Sequence, residues 1–133
     1  MKNILVAYDG GQPAHRALET GIELAQRLNA SLAVVSVVPV HPGRARIYPW
    51  DDKSVHDEQL AEAREILSSH GVAAQLFEPT GDPARAIERV AETGHFDTIV
   101  VGSRGLDGAS RILRGSVSKR LATHAYATVV IAH

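Results

Sequence analysis

The 133-residue chain contains no cysteine. That absence removes disulfides, thiolate nucleophiles, zinc ribbons and iron–sulfur clusters together, and it suits an unstapled protein in a reducing compartment, by default the cytoplasm. An excess of one charge is also missing: 14 Lys and Arg stand against 15 Asp and Glu, a formal net charge of -1. General nucleic-acid or membrane-surface binding normally needs a basic excess, so neither is expected, whereas a small anionic ligand stays open. Long apolar runs are lacking too. Between Lys2 and Asp9 there are six uncharged residues, too few for a signal-peptide core and far below the ~20 of a membrane span.

What is present is a globular composition, 44% hydrophobic and 22% charged, over a length that fits one domain of roughly 100 to 200 residues. A single domain over residues 1–133 is expected. Ile4 to Tyr8 reads as a buried strand closed by Asp9-Gly10-Gly11, because continuous apolarity of that length suits a parallel strand covered on both faces. From Pro13, Ala14, Ala17, Leu18, Gly21, Ala25 and Leu28 recur at spacings of three and four. This is one face of a helix with proline in its first turn and Asn29 at its stop. Leu32 to Val38 repeats the strand pattern, and Pro39, Pro42, Gly43 and Pro49 then punctuate a loop of the length that tends to carry function.

Asp51 to His70 carries a helical stripe of Leu60, Ala63 and Leu67, with Gly71 placed as its C-terminal cap. Val72 to Phe77 is a weaker strand. Asp82-Pro83 supplies a cap and a first-turn proline to a helix containing Ala84, Ile87, Val90 and Ala91 and stopped by Gly94. Thr98 to Val101 is a fourth strand, Ser116 to Ala125 a last helix with Val117, Leu121 and Ala122 inward, and Thr128 to Ala132 a fifth strand. Strands alternating with helices at this spacing require right-handed crossovers. The expected fold is therefore an α/β, three-layer, doubly wound (Rossmann-like) five-stranded parallel sheet with helices on both faces. Such sheets bind ligands beyond the carboxyl ends of the strands, where strand order reverses.

The chemistry gathers at those ends. After the fourth strand the chain reads Gly102-Ser103-Arg104-Gly105-Leu106-Asp107-Gly108, and Gly115-Ser116-Val117-Ser118 follows at a helix start. Glycines let backbone N–H groups converge on an anion, and a helix N-terminus adds unpaired donors and the positive end of the dipole. This is the composition of a phosphate cradle; glycines after a strand, as in Gly102 to Gly108 taken alone, are more often plain turn chemistry, and Gly115-Ser116 at a second helix start weakens that plainer reading. Neither standard cradle matches: there is no Gly-Lys pair for a P-loop, and no GxGxxG after the first strand.

The spacing Gly-x2-Gly-x9-Gly-Ser, met by Gly102, Gly105, Gly115 and Ser116, resembles the nucleotide-binding signature of the universal stress protein family, in its ATP-binding branch. The resemblance extends over the opening Ile4-Leu5-Val6-Ala7-Tyr8-Asp9-Gly10, Gly81-Asp82-Pro83, Asp97 to Gly105 and the closing Ala127-Thr128-Val129-Val130-Ile131. It implies that Asp9 bonds the ribose or adenine side of a nucleotide in a pocket lined by Ala7. It further implies that the Val37 backbone meets the adenine edge, that Val101, Gly102, Arg104 and Gly105 border the ribose and phosphates, and that Gly115, Ser116, Val117 and Ser118 hold the phosphate chain. The implied ligand is ATP, with ADP or AMP as alternatives and Mg²⁺ as a companion, and the implied assembly is a homodimer through Thr128 to Ala132. Gly11 and Ala14 stand where family members commonly carry serines, which removes two hydroxyl contacts.

The resulting expectation is an ATP-binding regulatory or stress-response protein with at most slow hydrolysis, since no general base is arranged beyond Asp9. Two alternatives stay open: a homodimeric interaction module without nucleotide binding, and a small ATP-using enzyme of the same fold. A phospho-acceptor role for Asp9 is disfavoured because Lys2 and Lys119 are misplaced for it. The seven histidines lack paired metal-ligand spacing, and only His15, in the first helical turn, is positioned to approach a ligand. Tyr48 and Trp50 are expected to anchor their loop, and Arg111 and Arg114 are candidates for phosphate contact. From Arg104 to His133 five basic residues face Asp107 alone, a net +4 that leaves -5 on residues 1–103. Positive charge is thus concentrated around the proposed cradle.

Overall fold

The computed structural model describes residues 1–39, 53–103, 120–121 and 126–133. Its elements in chain order are β1 (Asn3–Ala7), α1 (Gln12–Leu28), β2 (Ser31–Val35), β3 (Val38–Pro39), α2 (Lys53–Ser69), β4 (Gln75–Phe77), β5 (Thr80–Gly81), α3 (Pro83–Thr93), β6 (Thr98–Gly102) and β7 (Thr128–Ala132). Five strands form one parallel sheet in the order β4-β2-β1-β6-β7. The expected doubly wound sheet is present. Ile4 to Ala7 and all of β6 are buried, as central strands covered on both faces must be. The edge strands β4 and β7 are only partly buried.

Right-handed crossovers place α1 and α2 on one face and α3 on the other. Side chains tie each pair: Gln26 Nε2 of α1 donates to the His70 carbonyl after α2 at 3.3 Å. On the opposite face Arg120, which is helical, lies 3.6 Å from Glu88 of α3. The apolar stripe of α1 buries Ala14, Ala17, Leu18, Gly21, Ile22 and Ala25. Full burial of Leu18 and Ile22 contributes about 1.5–3 kcal/mol each. Gly21 lets the helix approach the sheet, since a β-carbon there would fall 2.4 Å from Val6 Cγ2.

The helix ends follow local chemistry. Asp82 caps α3 by accepting the Arg85 N–H at 3.2 Å, with Pro83 in the first turn. After α2, Gly71 takes φ +67 while the Gly71 and Val72 N–H groups return to Ser68 and Leu67 carbonyls, the paired closure of a Schellman turn. Val72 is consumed by that closure, so the strand expected from Val72 begins only at Gln75. At the end of α3 the left-handed residue is His95, φ 58, rather than Gly94. Gly94 is required for space instead: a β-carbon would meet Phe96 Cε2 at 2.4 Å.

The run expected as one strand from Leu32 to Val38 is bent. β2 stops at Val35, yet Ser36 N–H bonds the Phe77 carbonyl at 2.9 Å and Val38 N–H the Pro79 carbonyl at 2.8 Å. The register is preserved across the break, Val35 facing Phe77 and Val38 facing Thr80. The short pair β3–β5 therefore prolongs β2 and β4 past the end of the central strand. Of the helix expected over Ser116 to Ala125, Arg120 and Leu121 are described, both helical, and Leu121 is fully buried. Among the described residues no helix is long and apolar enough to cross a membrane.

Candidate functional site

The chain runs from β1 outward through β2 to β4, then returns to the other side of β1 for β6 and β7. The reversal falls between β1 and β6, where open α/β sheets form a ligand crevice. β2 ends level with β1, while β6 runs past it. The last pairing of β1 with β2 is Ala7 to Val35, and on the other side Val6 faces Val100, two residues short of the end of β6. With β3–β5 extending one wall and Gly102–Ser103 the other, Tyr8 and Asp9 form the floor.

Asp9 is 6% exposed. Its Oδ1 accepts the Gly11 N–H at 3.3 Å, a short-range bond that closes the turn into α1. Gly10 takes φ +84 within this turn, and the Gln59 side chain of α2 lies against it. Tyr8 is fully buried and its hydroxyl donates to Glu62 Oε1 of α2. His15 Nε2 lies 2.6 Å from the same Glu62 oxygen, and its ring stacks on Tyr8 at 5.5 Å between centroids. Burial, the hydrogen bond to Glu62 and the negative charges of Glu62 and Asp9 all push the Tyr8 phenol far above its ordinary range. Tyr8 is therefore a permanent hydrogen-bond donor.

A second polar group lies at the end of β2. Ser36 is fully buried and donates its one hydroxyl proton to Gln59 Oε1 at 3.4 Å. His56 Nδ1 is 3.0 Å from the same hydroxyl oxygen, so the hydroxyl links the His56 ring to the Gln59 amide. Residues Gln59 and Glu62, one helical turn apart, thus reach from α2 to both sides of the Asp9 turn.

Of the residues expected at the site, Ala7, Asp9, Val37, Val101 and Gly102 are described, and all lie at the carboxyl ends of three adjacent strands. Ala7, Val37 and Val101 are fully buried. Arg104, Gly105, Gly115, Ser116, Val117 and Ser118 lie outside the described residues, as do Tyr48, Trp50, Arg111, Arg114 and Lys119. Gly102 has a steric duty besides any ligand, since a β-carbon would stand 2.6 Å from Pro13 Cβ. Glu62, Gln59 and Tyr8 were not legible as site residues. The only sequence signal near them was His15 at the start of α1. Among the described residues no three His, Asp or Glu side chains cluster as a metal site.

The comparisons agree with this architecture. The model of the universal stress protein family matches residues 1–133. The chain belongs to the universal stress protein family. Universal stress protein Sll1388 of Synechocystis is 32% identical over 146 residues, covering 96% of this chain and 95% of that protein. A universal stress protein solved in complex with cAMP aligns with a TM-score of 0.76 at 23% identity, covering 99% of this chain and 97% of the other. Another, from Archaeoglobus fulgidus in complex with dAMP, gives 0.74 at 23% identity, covering 100% and 98%. For this universal stress protein the Rossmann-like fold is established by those structural likenesses.

Proposed function

We propose that the protein binds an adenine nucleotide, ATP in the first instance, in the crevice over Asp9 and acts as a regulatory protein whose nucleotide state alters its partners. The observation that carries this reading is the buried Asp9 carboxylate at the point of strand reversal. The floor holds Asp9, with Glu62 beside it, acceptors suited to sugar hydroxyls or an amine and unsuited to phosphate. A phosphate chain belongs with the glycines and the net +4 of residues 104–133. On this reading Asp9, Ala7 and Val37 meet the nucleoside, and Val101, Gly102, Arg104, Gly105, Gly115, Ser116, Val117 and Ser118 meet the ribose and phosphates, with Mg²⁺ accompanying ATP. The complexes of family members with cAMP and dAMP support the adenine class of ligand.

Hydrolysis is slow or absent in this proposal, because phosphoryl transfer depends on positioned charge and metal, and the sequence arranges no general base beyond Asp9. The protein works as a single domain in the cytoplasm and as a homodimer through β7. That strand pairs with β6 alone in the sheet order and leaves Ile131 36% exposed, and an edge of this kind can accept a second copy.

The test is to release bound nucleotide by heat denaturation, identify it, and titrate ATP into wild type and a Gly115→Val/Ser116→Ala variant while following phosphate release. Binding to wild type with a large loss in the variant is expected. Equal binding by both, or by neither, overturns the reading. Sedimentation showing only monomer at micromolar concentration removes the dimer.

A further inference from the structure

We propose that Glu62 is a positioning residue for the crevice and that, together with His15, it makes nucleotide affinity depend on pH. This rests on the nucleotide-binding reading above. One carboxylate oxygen of α2 holds two groups from the other side of the crevice floor: the Tyr8 hydroxyl, directly before Asp9, and the His15 ring in the first turn of α1. The His15 ring in turn covers Tyr8. The turn bearing Asp9 runs between these two anchored residues, so Glu62 fixes both of its ends. Neither Glu62 nor His15 belongs to the glycine motif.

Burial and the bond to Glu62 hold the proton on Tyr8. An imidazole is the side chain whose charge changes near neutrality. With His15 cationic, the pair with Glu62 is neutral beside Asp9; with His15 neutral, two negative charges face the incoming anion. Among the described residues, the other charged side chains within one turn of the pair on its own helices are Arg16 and Glu19 on α1 and Glu58, Arg64 and Glu65 on α2. His56 of α2 is the second imidazole, but it is buried and bonded to Ser36 at the end of β2. His15 and Glu62 are 41% and 47% exposed at their side chains, so both are replaceable without opening the core.

Affinity is therefore expected to fall about threefold to tenfold on going from about pH 6 to about pH 8, the effect of one partly screened charge. Calorimetric titration of ATP should show this slope in wild type and lose it in His15→Gln. The difference between the two proteins cancels protonation of the phosphates of the ligand. Glu62→Ala should weaken binding at every pH, while Glu62→Gln, which keeps an acceptor for Tyr8 and His15, should recover most of the affinity and retain the slope, because the His15 charge still changes. Linkage requires the converse as well: nucleotide must move the His15 ring titration, followed by NMR, upward by the same factor. An unchanged slope in His15→Gln, or a His15 titration that ATP leaves in place, overturns the inference while leaving nucleotide binding intact. Wild type that binds no adenine nucleotide at any pH overturns both.

Discussion

Gly102 and Pro13 are packed so closely that any side chain on the glycine would overlap the proline, its β-carbon lying 2.6 Å from Pro13 Cβ and 2.7 Å from the Pro13 carbonyl oxygen. The contact pins the first turn of α1 to the end of β6, across the strand reversal. Gly102→Ala is expected to destabilise the fold by about 1–3 kcal/mol through overpacking, measurable as a lowered midpoint in urea without ligand. Loss of nucleotide binding in that variant would consequently report on the fold as well as on the crevice, which is why the Gly115 and Ser116 substitutions are the better probe.

Asp97 holds the opposite end of the sheet. Burial opposes its charge, but the Lys2 N–H at 2.9 Å, the Thr98 hydroxyl at 2.8 Å, the Asn3 N–H at 3.3 Å and the nearby N-terminal amine outweigh it, so its carboxyl is held below the ordinary range. A lowered value in the folded state means stability that is present above the unfolded value and lost as pH falls through the folded one. Asp97→Asn should therefore cost about 1 kcal/mol at neutral pH, allowing for solvent screening. It should also reduce the steepness of acid unfolding below about pH 4.

Tyr8 acts at the other extreme of pH. Its raised value means that the folded protein keeps the phenolic proton after the unfolded chain has released it. Stability is complete below the unfolded value of about 10 and declines as pH rises beyond it. Absorbance titration should show Tyr8 ionising only together with unfolding, and Tyr8→Phe should remove that coupling.

Gly71 and His95 occupy equivalent left-handed positions after α2 and α3, with φ of +67 and 58. A side chain costs roughly 1–2 kcal/mol in that region, part of which is offset by the entropy glycine adds to the unfolded chain. Gly71→Ala is expected to lower stability by about 1 kcal/mol, and His95→Gly to raise it by about 0.5–1 kcal/mol. Thermal denaturation of the two variants should give opposite shifts.

The contrast between these positions shows what could be read in the chain. The strands and α1 announced themselves through apolar runs and a three-and-four spacing, and Asp82-Pro83 marked the start of α3 through its own capping chemistry. Gly94 was legible as a stop, but its reason was not, because the clash with Phe96 is a tertiary fact. Likewise Asp9, Ala7, Val37, Val101 and Gly102 were placed at strand ends by the topology. Glu62 and Gln59 were hidden: on a polar helix such as α2, spacing does not tell which of many acidic and amide side chains meets a tyrosine from another element. The β3–β5 pair was invisible for a related reason, since two residues on each side carry no periodicity.

The strand order also governs how the molecule can be assembled. β1 pairs early in the chain with β2, Asn3 against Ser31, but its other edge waits for Thr98 to Val100, and β6 in turn waits for β7. Contacts between segments this distant in sequence are the slow ones to form. The side of the proposed crevice on which β6 stands is therefore expected to close after β1 has met β2.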